Sequence, residues 1–255
     1  MILTTGIGNG LGRLCHETLG GKGLRRENAS SLLQALKPSE TRIIVHCAFN
    51  TGPAPSSNRL AAYLDDTLLL TRKLTRVPHR KFIFVSSVDV YPHDGVPHDE
   101  NEELSLEGGQ SFYGLAKLMS EAIVRVACPN YLILRPTSLL GYSKKSSSLI
   151  RILEEPAPQL SLSADSVLNC VQRADVCKFI QNAIDSDLQG TYNIASSQNI
   201  TLANAARRFG RGGAPHYGDF RYDVGLIDQR RATILLPVFN RSSEETLAHY
   251  SRKRP

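Results

Sequence analysis

A tyrosine and a lysine stand one helical turn apart in the segment YGLAK, at Tyr113 and Lys117. Residues at this spacing share one face of a helix. An ammonium group beside a phenol stabilises the phenolate and lowers the phenol's pKa, so such a pair can donate or accept a proton near neutral pH. The same spacing is common on ordinary exposed helix faces, so the pair needs support from other residues.

A serine and an aspartate precede this pair in the segment FVSSVDVY, which has the apolar composition of a buried strand. Ser87 stands near the end of that strand, and ligands of open α/β sheets bind outside the carboxyl ends of the strands. Its hydroxyl group could hold a substrate oxygen while Tyr113 moves the proton. Asp89 is a second candidate acid or base. The alternative for Asp89 is an aspartate that only forms hydrogen bonds at the strand end.

Four glycines follow the first apolar segment, at Gly6, Gly8, Gly10 and Gly12 in MILTTGIGNGLGR. Glycines let the backbone approach a phosphate, and a helix N-terminus supplies N–H groups and a partial positive charge. A flexible N-terminus is the alternative interpretation, but it would not need apolar residues on both sides of the glycines. We therefore expect a strand, a phosphate-binding turn and a helix in this order.

Strand and helix patterns alternate along the chain, which predicts an α/β fold with a doubly wound parallel sheet and helices on both faces. The expected strands are MILTT, RIIVHCAF, KFIFVSSVDVY and YLILRPTSLLG. The expected helices are LGRLCHETL, SSLLQALKP, NRLAAYLDDTLLLTRKL and FYGLAKLMSEAIVRVA. We assign residues 1–141 to a dinucleotide-binding domain and residues 142–255 mainly to a substrate-binding portion with late elements of the sheet, all within one compact chain.

The composition excludes several classes of protein. With 255 residues, of which 41% are hydrophobic and 21% charged, the chain has the composition of a globular protein rather than a disordered one. No apolar run could span a bilayer, no signal peptide is recognisable, and the five cysteines form no CxxC pair, so we expect a cytoplasmic protein with reduced thiols. The net charge of +6 comes from scattered residues, which favours an anionic small molecule over nucleic acid. The histidines do not stand at metal-ligand spacing, so no metal is expected.

These motifs together resemble the extended short-chain dehydrogenases/reductases, also called the NAD-dependent epimerase/dehydratase family. TTGIGNGLGR is similar to the family's TGxxGxxG turn, FVSSVDVYP to its SSxxVYG, YGLAK to its YxxxK and LRPTSLLG to its LRPxNxYG. The segments IIVHCAF, VQRADVCKFI and GTYNIAS resemble further family segments in the same order. The resemblance covers most of the chain. It implies a Rossmann-like domain that binds NAD(P) and a small C-terminal part that closes over a substrate, usually a nucleotide-activated sugar.

The resemblance also implies roles for individual residues. Ser87 polarises the reacting oxygen, Tyr113 carries its proton, and Lys117 holds the nicotinamide ribose and tunes Tyr113, with Asp89 where related enzymes place an additional acid or base. The residues expected around the dinucleotide are Gly6, Gly8, Asn9, Gly10, Leu11, Gly12, Arg13, Arg25, Arg26, Cys47, Ala48, Phe49, Ser86, Tyr113, Lys117, Pro136 and Ser138.

The segment after the first helix departs from the family pattern. The chain between Gly12 and Ile43 is short and offers no clear match to the second strand or to the acidic residue that binds the adenosine ribose of NAD. Arg25 and Arg26 stand there instead, and guanidinium groups suit the 2′-phosphate of NADP. Together with Arg13 they favour NADP over NAD, with NAD still possible. The alternatives are a solvated turn and a chain that has lost tight cofactor binding.

The expected activity follows from the remaining departures. Val88 replaces an acidic residue of the family's dehydratases, which argues against dehydration. Leu168 stands where relatives place an arginine that grips the substrate diphosphate, and Arg151 and Arg173 are the possible substitutes. We favour a keto-sugar reductase, with a nucleotide-sugar epimerase as the alternative and a non-catalytic cofactor-binding protein as the alternative of another class. The resemblance also implies a homodimer, formed through the two long helices that precede and carry the YGLAK segment. The alternative is that the apolar faces of these helices are covered within the monomer.

Overall fold

The computed structural model describes residues 1–25, 42–49, 60–105, 111–143 and 146–252. The expected helix SSLLQALKP and Arg26 lie outside these residues. The strands are β1 (Ile2–Thr5), β2 (Lys22–Leu24), β3 (Ile43–His46), β4 (Lys81–Val85), β5 (Tyr131–Pro136), β6 (Ser138–Leu140), β7 (Val167–Leu168), β8 (Cys170–Gln172), β9 (Gly190–Ile194) and β10 (Ile200–Thr201). The helices are α1 (Gly10–Leu19), α2 (Leu60–Thr75), α3 (Phe112–Ala127), α4 (Ser148–Glu154), α5 (Arg173–Asp185), α6 (Leu202–Phe209), α7 (Arg230–Leu235) and α8 (Ser243–Arg252).

Six parallel strands form the central sheet, in the order β2-β1-β3-β4-β5-β9. Neighbouring side chains of one strand enter different cores: Ile83 packs with residues of α1 and α5, whereas Phe82 packs with residues of α2 and α3. Strands buried on both faces need largely apolar runs, as β3, β4 and β5 have. The doubly wound α/β fold expected from the sequence is confirmed.

The second strand of the sheet is present, contrary to the expectation from the sequence. Lys22–Leu24 pairs in parallel with β1 and forms the edge of the sheet. Gly20 and Gly21 both have positive φ, at 69° and 87°, and turn the chain directly from α1 into this strand. A strand of three residues is too short to show a periodicity in the sequence. Arg25 follows its carboxyl end.

The segment YLILRPTSLLG, expected as one strand, is divided at Thr137. The first part is β5 in the central sheet, and the second part is β6, which pairs with β8 in a separate two-stranded sheet. The Thr137 N–H still donates to Ile194 in β9, but the Ser138 N–H donates to Asn169 beside β8. Both parts are apolar, so the sequence pattern could not separate them.

The later part of the chain builds its own apolar cluster against β6. Leu140 packs there with Leu149 and Ile152 of α4, and with Leu202 of α6. In the part of the chain that the structure describes, no helix is long and apolar enough to cross a membrane.

The central strands end side by side, because parallel strands present their carboxyl ends at one edge of the sheet. The residues that follow β1, β3, β4 and β5 are therefore neighbours in space. These residues include the glycine turn, Cys47, Ser86 and Thr137.

Candidate active site

A cleft of about 310 Å³ opens at this edge of the sheet. It is lined by residues 9–12, 85–89 and 136–139, together with Cys47, Phe49, Tyr113, Lys117, Arg173 and Tyr222. The structure thus brings most of the candidate residues to one place, although they come from five separate parts of the chain. Arg173 and Tyr222 complete the cleft from beyond residue 142.

The glycine turn forms one wall of the cleft and leaves little room for side chains. A Cβ atom on Gly12 would lie 2.6 Å from the Gly6 carbonyl oxygen, and one on Gly6 would lie 2.9 Å from the Ala48 nitrogen. Asn9 precedes α1, and its side-chain amide donates to Ser143 Oγ at 3.2 Å instead of capping the helix. The first N–H groups of a helix have no partners within it, so this end of α1 offers donors to an anion.

Buried hydrogen bonds hold the ends of β1 and β3 together behind the turn. Thr5 Oγ1 accepts from the backbone N–H groups of Cys47 and Ala48, at 3.1 and 3.0 Å. It also lies 2.8 Å from His46 Nδ1, and His46 Nε2 lies 3.1 Å from Thr71 Oγ1. Burial lowers the pKa of His46 to about 3, so the ring is neutral and serves structure.

Asp89 lines the cleft and is the centre of a hydrogen-bonded group. Ser87 Oγ donates to Asp89 Oδ2 at 2.9 Å, and the Tyr222 hydroxyl donates to Oδ1 at 2.8 Å. Burial raises the pKa of Asp89, but His93, Tyr222 and Ser87 together outweigh burial and leave the pKa below its ordinary value. Asp89 is therefore an ionised carboxylate whose two oxygens are both engaged.

Lys117 is buried next to Tyr113, but its ammonium group is directed elsewhere. Its Nζ donates to the Val85 carbonyl at 2.6 Å and lies 3.8 Å from the centre of the Phe49 ring. Burial lowers the pKa of Lys117 to about 7. The ring centre of Tyr113 lies 5.7 Å from Nζ.

Tyr113 does not have the lowered pKa that its spacing from Lys117 predicted. Burial and the negative charge of Asp89 raise the pKa of Tyr113, and a hydrogen bond with Ser87 offsets only part of this shift. The physical reason is that burial disfavours the phenolate most, and the charge of Asp89 adds to this effect. The phenol is accordingly protonated at neutral pH.

Ser86 lines the cleft, but its hydroxyl group is used within the protein. It donates to Glu121 Oε1 at 2.6 Å. Glu121 also forms a two-pronged ion pair with Arg135, whose Nε and Nη2 donate at 3.0 and 2.7 Å. Arg135 donates further to the Tyr91 hydroxyl at 2.8 Å. This buried network fixes the end of β4, and therefore the position of Ser87.

Several expected cofactor residues lie outside the lining of this cleft. Gly8 has open space where a Cβ atom would stand, and Ala48 packs against Gly6. Arg13 pairs with Glu17 at 2.7 Å and lines a neighbouring cleft. Arg25 is exposed at the end of β2.

Within the described ranges, no group of three His, Cys, Asp or Glu residues is placed to hold a metal.

Tyr222 is the cleft residue that the sequence did not reveal. It stands far from the motifs along the chain, in a segment without regular secondary structure. Only the fold brings its hydroxyl group to Asp89.

Comparisons with known proteins agree with this architecture. The chain is similar in structure to dTDP-4-dehydrorhamnose reductase from Bacillus anthracis in complex with NADP, with 18% identity, a TM-score of 0.76 and 99% of each chain covered. It is also similar to UDP-glucuronic acid 4-epimerase from Bacillus cereus in complex with UDP-glucuronic acid and NAD, with 17% identity, a TM-score of 0.77 and 99% of each chain covered. At these identities the similarity concerns the fold. No curated protein sequence matches the chain.

A family model assigns the chain to a protein family, whereas the similar structures show only the fold. The model of the NAD-dependent epimerase/dehydratase family matches residues 21–195. The match includes Ser87, Tyr113 and Lys117 and begins after the glycine turn. Because it covers more than half of the chain, the protein belongs to the NAD-dependent epimerase/dehydratase family.

Proposed function

We propose that the protein is an NAD(P)-dependent oxidoreductase that reduces a keto group on a nucleotide-sugar-like substrate. The observation that carries this proposal is the meeting of Ser87, Tyr113 and Lys117 with the glycine turn in one cleft. The close approach of backbone at Gly6 and Gly12 fits a dinucleotide phosphate, and two similar structures hold NADP or NAD. When bound there, the nicotinamide would exchange a hydride with a substrate carbon.

The protonation state of Tyr113 favours the direction of reduction. A phenol with a raised pKa is protonated at neutral pH, and a protonated phenol can donate to the carbonyl oxygen that becomes a hydroxyl. Ser87 Oγ donates its proton to Asp89 Oδ2 and accepts from the Asp89 backbone N–H at 3.2 Å, so one lone pair is left to accept a hydrogen bond from Tyr113 or from a substrate hydroxyl. Lys117 and Phe49 line the same cleft as these groups and contact each other.

The hydrogen bonds of Asp89 favour a reductase over an epimerase that exchanges a carbon-bound proton, whereas an epimerase that moves the hydride both ways would not need Asp89 as a base. A carbon-bound proton would need a carboxylate oxygen free to accept it, whereas both oxygens of Asp89 already accept from hydroxyl groups. We therefore assign Asp89 a positioning role toward Ser87. An epimerase remains the second candidate because Asp89 is ionised and lines the cleft.

The preference for NADP is part of the proposal. Arg25 stands directly after β2, next to the strand that leads into the glycine turn. We assign Arg25 and Arg26 to the 2′-phosphate. Titration calorimetry with NADP⁺ and NAD⁺ tests this assignment, and replacement of both arginines by alanine should weaken NADP⁺ binding and leave NAD⁺ binding unchanged.

Turnover tests the activity itself. Oxidation of NADPH is followed with a panel of nucleotide-linked keto sugars, for the wild type, Tyr113→Phe and the control Tyr217→Phe, whose side chain lies outside the cleft. Loss of the proton donor should lower the rate at least about 100-fold in Tyr113→Phe and leave the control active. A wild type that binds neither dinucleotide would overturn the proposal. Tight dinucleotide binding by the wild type and equally by Tyr113→Phe, with no turnover by the wild type, would support a non-catalytic protein.

We further propose a cytoplasmic homodimer. All five cysteines are free thiols, as is usual in a reducing compartment. Helices α2 and α3 pack side by side and expose Leu69, Met119 and Val126, with Val126 91% exposed. Two copies of this face could form a four-helix bundle. Sedimentation of the wild type and Val126→Glu tests the dimer, since a buried glutamate in the interface should produce monomers.

A further inference from the structure

His93 meets Asp89 on the carboxylate oxygen that Ser87 does not use. Its Nε2 atom lies 3.5 Å from Asp89 Oδ1, whereas the Ser87 hydroxyl group donates to Oδ2 at 2.9 Å. His93 itself is not part of the cleft lining. A histidine outside the cleft is thus joined through one carboxylate to a serine inside it.

The turn after β4 brings His93 back to Asp89, four residues before it in the chain. Ser87 caps a short 3-10 helix, Val88–Val90, and its Oγ atom accepts from the Asp89 N–H at 3.2 Å. Tyr91 follows this helix and is fully buried, and its hydroxyl group donates to a side chain of β9 at 2.8 Å. This anchor holds the segment that carries His93 close to the carboxylate.

Tyr222 packs against the other part of the His93 side chain. The two rings meet edge to face, with 4.9 Å between their centres. The Nε2 atom of His93 is buried and forms no hydrogen bond of standard geometry, so the Asp89 carboxylate is the group that can stabilise a proton there. The His93 side chain as a whole is 17% exposed, and it can therefore exchange a proton with water.

Asp89 connects the charge of His93 with Tyr113. Burial and, in addition, the negative charge of Asp89 raise the pKa of Tyr113, which also forms a hydrogen bond with Ser87. Burial raises the pKa of Asp89 as well, and His93 contributes most to lowering it again. A protonated His93 compensates the charge of Asp89 and so weakens the field that opposes a Tyr113 phenolate. A neutral His93 leaves that charge uncompensated.

The acidic groups near His93 have partners of their own. Asp94 follows His93 in the chain and lies 3.4 Å from His98 Nε2. Asp223 follows Tyr222 and accepts from Arg221 at 2.7 Å. Among the residues that the structure describes, His93 is the basic side chain within ion-pair distance of the cleft carboxylate. The other titratable groups around this carboxylate and His93 are Tyr222, Tyr113, Tyr63, Lys117, Asp94 and Asp223.

We propose that His93 is a positioning residue that sets the acid strength of Tyr113 through the charge of Asp89. When His93 is protonated, Tyr113 gives its proton more readily to the oxygen of a carbonyl group that is being reduced. When His93 is neutral, the phenol holds its proton more strongly and the reduction is slower. This inference rests on the proposed function for the role of Tyr113 as proton donor, and not for the coupling among the three side chains.

The first experiment measures this coupling by NMR and needs no substrate. The proteins are the wild type, His93→Gln, His93→Phe and the control His79→Gln, which changes a histidine at the other end of β4. Glutamine keeps a hydrogen-bond donor without the charge, whereas phenylalanine keeps a ring against Tyr222 without the nitrogen atoms. We expect both His93 variants to raise the Asp89 pKa, with an increase in proton affinity of at least about threefold, and the control to leave it unchanged.

The same spectra follow Tyr113 through its ring carbon Cζ. In the wild type, this signal should shift over the pH range in which the His93 ring signals show the loss of a proton. The shift should disappear in both His93 variants, because neither can carry the charge. A wild-type Asp89 pKa in His93→Gln would mean that a donor suffices, and one in His93→Phe would mean that the ring suffices. Either result overturns the inference.

The second experiment measures kcat and KM for reduction as a function of pH. In the wild type, kcat should fall over the pH range in which His93 loses its proton. Both His93 variants should lack this fall and should be at least about threefold slower at its acidic end. The KM for NADPH should not change, because His93 lies outside the cleft lining. A wild-type pH profile of kcat in both variants overturns the inference.

The two experiments separate this inference from the proposed function. A wild type without turnover on any keto sugar, in which the Asp89 pKa and the Tyr113 signal still respond to His93, refutes the proposed function and supports the coupling. Turnover without any response of these two signals supports the proposed function and overturns the inference. If neither His93 variant folds, the wild type decides: a Tyr113 signal that does not shift where His93 loses its proton overturns the inference.

Discussion

Replacing Glu121 by glutamine removes one negative charge from the buried network behind Ser87. Glu121 and Arg135 are 0% and 1% exposed, and Arg135 meets the carboxylate through two hydrogen bonds. The Ser86 hydroxyl group and Arg125 also donate to Glu121. Glutamine has nearly the same shape, so the substitution changes charge and leaves packing almost unaltered.

The expected loss of stability follows from the fate of Arg135. Removing one partner of a buried ion pair costs about 3–5 kcal/mol, because the other charge stays buried without compensation. For a chain of this size, 1 kcal/mol corresponds to a shift in Tm of about 2–4 °C. Glu121→Gln should therefore lower the Tm by about 6–20 °C. The double substitution Glu121→Met with Arg135→Met should recover much of this loss.

Urea unfolding and calorimetry measure the effect, with Glu155→Gln as the matched control. Glu155 forms an equally short pair with Arg151, but its side chain is 41% exposed. An exposed pair contributes about 0–1 kcal/mol, so the control should be close to the wild type. Equal stability of Glu121→Gln and Glu155→Gln would refute the idea that this network holds the end of β4 in place.

Three further predictions concern the cleft itself. Gly12→Ala should destabilise the protein by about 1–3 kcal/mol and weaken dinucleotide binding, because its Cβ atom would meet backbone, whereas Gly8→Ala should be tolerated in both assays. Between pH 7 and pH 10, the free energy of unfolding of the wild type should rise relative to that of Lys117→Met. The reason is that Lys117 still binds a proton in the unfolded state over this pH range, whereas the buried Lys117 of the folded state has lost it. Tyr222→Phe removes a donor to Asp89, so the Asp89 pKa measured by carboxyl NMR should rise, and the stability that Asp89 adds above its unfolded pKa should become smaller and be lost completely at a higher pH on acidification.

The sequence predicted the parts of the fold that depend on local patterns. The helix over Phe112–Ala127 begins and ends where its apolar spacing indicated, and Gly20 stops α1 as expected. The expected strands are present at shorter length, for example Ile43–His46 within RIIVHCAF. Three strands in the middle of the sheet, β3, β4 and β5, have largely apolar runs, because burial on both faces requires such runs.

The features that the sequence did not predict depend on contacts between distant segments. The division at Thr137 is a change of pairing partner from β9 to β8, which no local pattern records. The hydrogen bond from Tyr222 to Asp89 joins residues far apart in the chain, and it became visible only when the fold placed them in one cleft. Burial and charge at Tyr113 likewise depend on three segments, so its pKa could not follow from the spacing to Lys117 alone.

The charges in the cleft give a reason for the direction of proton transfer that we propose. Burial and, in addition, the ionised Asp89 raise the pKa of Tyr113, whereas burial lowers the pKa of Lys117 to about 7 and leaves it only partly charged at neutral pH. A phenol in this state holds its proton until an oxygen with developing negative charge is placed beside it. Such an oxygen arises when a carbonyl carbon accepts a hydride. The arrangement is therefore suited to protonate the product of a reduction, and the reverse reaction would require a base that this cleft provides only at higher pH.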